Sequence, residues 1–255
     1  MCVLAVLVGA AAHAQGYGQQ NVGQVMPGAA EQLMALANQS RAEAGLGRLQ
    51  WDESLATAAR AHCLRMAAEG PIAHRYGGED SLSDRAAKAG AHFDVIEENV
   101  AVGPNAPAIH QEWMQSPGHR ANLLSPEVNR VGIAVVLARG VLYATADYAR
   151  NVQKLTPAQV EARVAGLIRV CGVQVRGNPE PARAACALDH GLPTAQGGPQ
   201  ATFVMRWQDS NLGHLPDALT EKLASGQYHM AAVGSCPAQG VEGSFTAYRV
   251  AVLLY

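Results

Sequence analysis

The first half of the chain alternates apolar and polar positions with the spacing of α-helices. This pattern predicts a helix over 29–41 that stops at Gly45, where a positive φ suits glycine. Asp52 is placed to cap a second helix, whose apolar face recurs every three or four residues until Gly70-Pro71. Further helix starts are predicted at Ser81 or Ser83, at Asn105 or Pro107, and at Ser116-Pro117.

Strand signals follow these helices. Residues 131–137 and 141–148 are rich in β-branched and apolar side chains, and the short turn between them predicts an antiparallel hairpin. A capped helix begins again at Thr156-Pro157. Strands are then favoured at 201–207, 228–234 and 245–254, with a helix at 216–225. Helices followed by strands indicate an α+β fold rather than repeating βαβ units.

Length and composition favour two domains. The chain has 255 residues, of which 49% are hydrophobic and 16% charged, so it is long enough to bury more than one core. We predict a first domain at 29–150 and a smaller α+β domain at 151–255. A formal charge of −2 gives no electrostatic drive toward nucleic acid, and no nucleic-acid partner is expected.

Residues 1–14 are apolar and uncharged, and they end in Ala12-His13-Ala14, which places small residues where a signal peptidase reads. We predict a signal peptide at 1–14, followed by a Gly- and Gln-rich flexible leader at 15–28. No Lys or Arg precedes the apolar run, so translation could start upstream of Met1. No stretch reaches the roughly 20 residues of a bilayer span, and the mature chain is expected to be secreted or periplasmic without a transmembrane segment.

Cleavage would leave four cysteines in an oxidising compartment: Cys63, Cys171, Cys186 and Cys236. Three pairings of the four are possible. A bridge within the second half is expected, such as Cys171–Cys186, whose loop of ~15 residues would contribute about 3 kcal/mol. Cys63 lies on the apolar face of a predicted helix and is equally compatible with a buried free thiol.

His74, Glu98 and His119 are the candidate functional residues. Two imidazoles and a carboxylate suit zinc or another divalent cation, and they would leave one tetrahedral position to water. The alternative for each is a hydrogen-bonded structural residue. A charged Glu98 buried alone would be costly, so a neighbouring imidazolium or bound cation is expected, and the three residues should depend on one another.

The sequence around these residues resembles that of a known family. The segments LQWDESLATAARAH, EENVA, WMQSPGHRANLL and YATADYA occur in this order within residues 31–149. This stretch resembles the bacterial branch of the CAP superfamily, the SCP-like extracellular domain shared with cysteine-rich secretory proteins, antigen 5 and plant pathogenesis-related proteins. The resemblance implies an α-β-α sandwich, secretion, and a central cleft where two His and two acidic residues meet, sometimes around a divalent metal.

Three cleft residues can be carried over from this resemblance. They are His74 as the first histidine, Glu98 as the acid of the Glu-Asn motif, and His119 as the second histidine. The fourth has no counterpart, because Ser116 stands three residues after Trp113, where eukaryotic relatives have Glu, and Glu112 precedes the Trp. The resemblance therefore implies a site of three residues.

Three functions are compatible with this sequence. The first is a secreted binding or interaction module for a lipid, another hydrophobic ligand or a cell-envelope component, as the resemblance implies. The second is a zinc-dependent peptidase or esterase, for which no general base is recognisable. The third is a structural envelope protein whose cleft is only a polar network. A non-enzymatic role is favoured because the sequence contains no recognisable set of catalytic residues.

Overall fold

The computed structural model describes residues 23–192, 199–239 and 245–255, so the predicted signal peptide and most of the predicted leader lie outside it. Within these ranges the helices and strands are, in chain order, β1 (Gln24–Val25), α1 (Pro27–Glu43), β2 (Gln50–Trp51), α2 (Glu53–Glu69), α3 (Leu82–Lys88), β3 (Phe93–Gly103), α4 (Ala106–Gln115), α5 (Pro117–Leu123), β4 (Arg130–Ala138), β5 (Val141–Asn151), α6 (Pro157–Val170), β6 (Gln174–Val175), α7 (Glu180–Ala187), β7 (Phe203–Asp209), α8 (Asp217–Ala224), β8 (Met230–Cys236) and β9 (Tyr248–Leu254). None of the described helices has both the length and the apolar character of a membrane span.

Several helices begin at the capping residues that the sequence predicts. The side chains of Asp52, Ser81 and Asn105 each accept a backbone N–H at the starts of α2, α3 and α4. Thr156 and Gln159 form a reciprocal capping box at the start of α6. These local hydrogen bonds set where the helices start.

The first sheet has the order β1-β4-β5-β3, and β2 pairs in parallel with the beginning of β4. Strands β4 and β5 form the predicted hairpin, turning through Arg139 and Gly140 with φ values of 50° and 77°. Helices α2 and α3 pack on one face of this sheet, and α1, α4 and α5 pack on the other. The predicted α-β-α sandwich is confirmed.

The second sheet has the order β6-β8-β9-β7. Helices α6 and α8 bury their apolar faces on one side of it, and α7 covers the other side. A second α+β unit therefore follows the first sandwich, and the predicted α+β fold class is confirmed.

The disulfide differs from the predicted Cys171–Cys186 bridge. Cys186 in α7 bonds Cys236 at the end of β8, while Cys171 is an exposed free thiol. The reason is the layer order: α7 packs on β8, whereas Cys171 ends α6 on the opposite face of the same sheet. Cys63 is a buried free thiol, and burial raises its pKa to about 12.

The predicted leader at 15–28 extends too far. Gln24 and Val25 pair with Leu137 and Val136 of β4, and α1 begins at Pro27. These residues are ordered by backbone hydrogen bonds to a strand more than a hundred residues away. Composition gives no signal for such a partner.

Strand β3 is a further element that the sequence pattern does not predict. It pairs along most of its length with β5. Asp94, Glu97 and Glu98 interrupt its apolar alternation, so its local sequence looks too polar for an interior strand. These acidic residues place carboxyl groups within the sandwich.

Gly132 marks the point where α2 crosses β4. A Cβ at this position would lie 2.0 Å from the Ala56 backbone nitrogen and 2.2 Å from the Leu55 carbonyl carbon. Neither atom can yield without moving the helix. We expect Gly132→Ala to lower the free energy of unfolding in urea by about 1–3 kcal/mol, the usual cost of overpacking.

Gly47→Ala is the control, because an added Cβ there meets nothing within 4 Å. Its unfolding free energy should change by no more than about 0.5 kcal/mol. Equal effects of the two substitutions would contradict the close approach of α2 to the sheet.

Candidate functional site

Glu98 lies in β3, directly opposite Asp147 of β5 in the antiparallel ladder. Cross-strand partners project to the same face of a sheet. That face is the one covered by α2, because Val100, two residues further along β3, packs in the cluster formed by α2. Glu98 is 6% exposed and Asp147 is 0% exposed, so two carboxyl groups lie side by side in the interior.

Both oxygens of Glu98 are engaged. Oε1 lies 2.9 Å from Nδ1 of His74, in the segment between α2 and α3. Oε2 accepts a hydrogen bond of 2.5 Å from Nη2 of Arg85, on α3. The Arg85 and Glu98 side chains are 6% and 3% exposed, so this is a buried ion pair.

Arg85 also connects Glu98 to a second carboxylate. Its Nη1 donates to the backbone oxygen of His74 at 3.2 Å and lies 3.9 Å from Oε1 of Glu79. Its Nε has no hydrogen-bond partner among the described residues. A single guanidinium therefore lies between two buried acidic side chains.

His62 of α2 extends the network from the other side. Its Nδ1 lies 2.8 Å from Oε1 of Glu79 and its Nε2 lies 2.9 Å from the Ala73 oxygen. Both ring nitrogens face acceptors, so both are satisfied when the ring carries two protons. Burial raises the pKa of Glu79, but hydrogen bonds from His62 and from the Tyr76 amide outweigh it and leave the pKa below its usual value.

Asp147 forms no salt bridge within the described residues, although the charges of Glu98 and Arg85 both act on it. Neither of its carboxyl oxygens has a hydrogen-bond partner of ordinary geometry in the described part of the chain. Burial, followed by the charge of Glu98, raises the pKa of Asp147 well above its usual range. The folded environment therefore disfavours the ionised form of Asp147.

The two candidate histidines differ in their surroundings. The hydrogen bond to Glu98 raises the pKa of His74, whose side chain is 59% exposed. His119, on α5, makes no side-chain hydrogen bond to His74 or Glu98 among the described contacts, and its Nδ1 is without a partner there. Burial and the charge of His74 lower the pKa of His119. The structure thus joins His74 to Glu98 and leaves His119 nearby but separate.

These contacts do not fit a metal ion held by His74, Glu98 and His119. A metal at Glu98 would have to share a carboxylate that already faces the imidazole on one oxygen and the guanidinium on the other. No group of three His, Cys, Asp or Glu within the described ranges is arranged to hold a metal. Metal binding at these three residues stays a prediction from the sequence, and the contacts favour Arg85 as the partner of Glu98.

A separate apolar groove lies between α1, α2 and β4. Its volume is about 540 Å³, and it is lined mainly by apolar side chains, including Val25, Met34, Trp51 and Ile133. Trp51 and Val25 are 39% and 38% exposed, so the groove presents two large apolar side chains to solvent. The charged side chains that line the groove are Glu31, Glu53 and Arg60.

The family profile described as "CAP: Cysteine-rich secretory protein family" matches residues 34–148. These residues form a CAP domain. The CAP domain is 32% identical over 107 residues to the uncharacterized protein YkwD of Bacillus subtilis, a match covering 42% of each chain. It is 31% identical over 106 residues to the uncharacterized membrane protein YlbC of the same organism, a match covering 41% of this chain and 31% of YlbC. The matches therefore span less than half of these curated relatives.

Solved structures show similar regions. An extracellular SCP-domain protein from Bacillus anthracis is 28% identical, with a TM-score of 0.45, over 49% of this chain and 41% of that one. An outer surface protein from Borrelia burgdorferi is 17% identical, with a TM-score of 0.47, over 51% of this chain and 98% of that one.

The sequence identified His74 and Glu98 but not Arg85, which binds Glu98, nor the nearby buried acids Glu79 and Asp147. Arg85 follows the Ser81 cap by one helical turn and precedes the buried Ala86, so helical periodicity could have placed it near the core. Asp147 lies in the mainly apolar stretch 141–149 of β5, where an acidic residue is itself a signal. No sequence pattern links either residue to Glu98.

The raised pKa of Asp147 makes the stability of the CAP domain depend on pH. Below about pH 4 this side chain is neutral in both folded and unfolded protein, whereas at higher pH only the unfolded form ionises readily. The parent therefore loses stability as the pH rises toward the folded-state pKa. Asp147→Asn has no carboxyl group to ionise at this position, so it does not lose stability in this way. The unfolding free energy of the variant minus that of the parent should therefore increase by about 1–3 kcal/mol between pH 4 and pH 8.

Chemical denaturation at several pH values checks this expectation. Asp80→Asn, which changes an exposed carboxylate, is the control and should show no such trend. If the unfolding free energies of Asp147→Asn and the parent differ by the same amount at every pH, the raised pKa of Asp147 would be contradicted.

Proposed function

We propose that this protein is a secreted or periplasmic binding module whose ligand is an amphiphile with one apolar chain. The observation that carries the proposal is the apolar groove between α1, α2 and β4 of the CAP domain. Its volume lies within the ~300–1,000 Å³ that is typical of small-molecule sites. The resemblance to CAP proteins, which are often associated with hydrophobic ligands, supports the same conclusion.

Burial of apolar surface supplies the affinity. Trp51 and Val25 are partly exposed on the groove wall, and an acyl chain would cover them. About eight buried methylenes would contribute roughly 6 kcal/mol, from which the entropic cost of association must be subtracted. Because about 6 kcal/mol alone corresponds to a dissociation constant of about 40 μM, we expect weak binding, with a dissociation constant above that value.

The charges at the groove favour an uncharged headgroup. Arg60 lies 3.7 Å from Glu53, which also accepts a hydrogen bond from Nε1 of Trp51. Arg60 is thus balanced by Glu53, and the carboxylate of Glu31 leaves this region with a net negative charge. A fatty-acid carboxylate would be repelled, whereas a glycerol or alcohol headgroup would not.

Binding is better supported than hydrolysis. The His74–Glu98 pair is tied to Arg85, and no group at the cleft is placed as a general base toward a free nucleophile in the described residues. The polar network also suits the structural alternative, in which the cleft only stabilises the domain. A purely structural role does not require saturable binding at an apolar site. Ligand binding therefore distinguishes the binding module from the structural alternative.

Quenching of Trp51 fluorescence by a monoacylglycerol with a dibrominated chain tests the proposal. Trp113 is fully buried and Trp207 lies in β7, so neither lines the groove. We expect saturable quenching in the parent and its loss in Trp51→Phe. The matching dibrominated fatty acid should bind more weakly, because of the negative charge at the groove.

Met34→Lys places a charge in the groove and should weaken binding at least about tenfold, since a buried ammonium disfavours an apolar chain. Val170→Lys is the matched control, because Val170 is 87% exposed on α6, away from the groove. Absence of saturable quenching in the parent, or equal affinity in the two lysine variants, would overturn the proposal.

A further inference from the structure

The cleft around Glu98 carries an inference that is independent of the groove. We propose that Arg85 is the built-in cation of this cleft, that it occupies the place a divalent metal would take at the Glu98 carboxylate, and that it keeps metal ions out.

The first argument is position. Nη2 of Arg85 lies 2.5 Å from Oε2 of Glu98, which is direct contact. The other oxygen of Glu98 is held by His74 at 2.9 Å. A metal ion binding this carboxylate would lie within a few ångströms of a permanent guanidinium charge, and like charges at that distance repel strongly in a buried site.

The second argument is that Arg85 cannot easily leave. Its side chain is only 6% exposed, and its Nη1 is tied to the His74 backbone oxygen and faces Glu79. The helix that carries it, α3, is anchored by the Ser81 cap and packs Ala86 into the core. Moving the guanidinium aside would break the buried ion pair between Arg85 and Glu98, which is costly.

The third argument concerns what remains if the charge is removed. Glu98 and Asp147 face each other across β3 and β5, and neither oxygen of Asp147 has a partner in the described structure. His74 contributes an imidazole nitrogen on the same carboxylate. Two carboxylates and an imidazole are donor types that zinc accepts. They are not arranged around an ion in the described structure, so they would have to converge on zinc once no resident cation competes. Asp147 would then ionise on binding the metal.

The experiment compares zinc binding by the folded chain in a Cys171→Ser background, which removes the exposed thiol. The variants are the parent, Arg85→Met, Arg85→Lys and the double variant Arg85→Met/Glu98→Gln. Arg65→Met is the charge-matched control, because Arg65 pairs with Glu69 on the outside of α2. Zinc per chain is measured after gel filtration, and melting temperatures are measured in zinc and in EDTA.

We expect the parent, Arg85→Lys and Arg65→Met to retain no stoichiometric zinc and to melt at the same temperature in zinc and in EDTA. Arg85→Met should bind about one zinc per chain, at least about 100-fold more tightly than the parent, and melt higher in zinc. The double variant should lose both effects. If Arg85→Met does not fold in EDTA, refolding with zinc should recover it.

Three results would overturn the proposal. One is stoichiometric zinc in the parent that Glu98→Gln removes, because a metal would then bind with Arg85 in place. Another is a folded Arg85→Met that is as indifferent to zinc as the parent. The third is an Arg85→Met chain that fails to fold both with and without zinc.

Discussion

The CAP domain depends on how a buried carboxylate is neutralised. Glu98 is nearly inaccessible to solvent and lies opposite a second acid, Asp147, in the same sheet. One charged carboxylate in an apolar interior costs several kcal/mol unless a cation and hydrogen bonds offset it. Arg85 supplies the charge and His74 the second hydrogen bond, while burial raises the pKa of Asp147 and so disfavours a second charge beside Glu98.

This requirement orders the irregular part of the domain. The segment between α2 and α3 contains His74 and Glu79, whose side chains bind Glu98 and His62 respectively. Arg85 holds the backbone of the same segment through the His74 oxygen. The polar cluster therefore fixes a long connection over the sheet, while the apolar layers fix α1, α2 and α4 around it. The groove beside β2 is a different feature, which uses burial of apolar surface rather than charge.

The local parts of this architecture could be predicted from the sequence, and the distant ones could not. Caps such as Asp52 and the β4–β5 turn through Gly140 depend on neighbouring residues, so their signals are short-range. Strand β3 is masked by its own acidic residues, and the pairing of Gln24–Val25 with β4 is set by a distant partner. At the site, His74 and Glu98 were identifiable from motifs. The match of Arg85 to Glu98 is a property of the folded chain, and so is the separation of His119.

A double-mutant cycle on Arg85 and Glu98 tests the central claim most directly. Arg85→Met, Glu98→Gln and the double variant are compared with the parent by urea unfolding at pH 7. Each single change should cost about 3–5 kcal/mol because it leaves its partner buried without the ion pair, and the double change should cost at least about 2 kcal/mol less than the sum. Costs that add within about 0.5 kcal/mol would show that the two side chains do not interact, and would contradict the account.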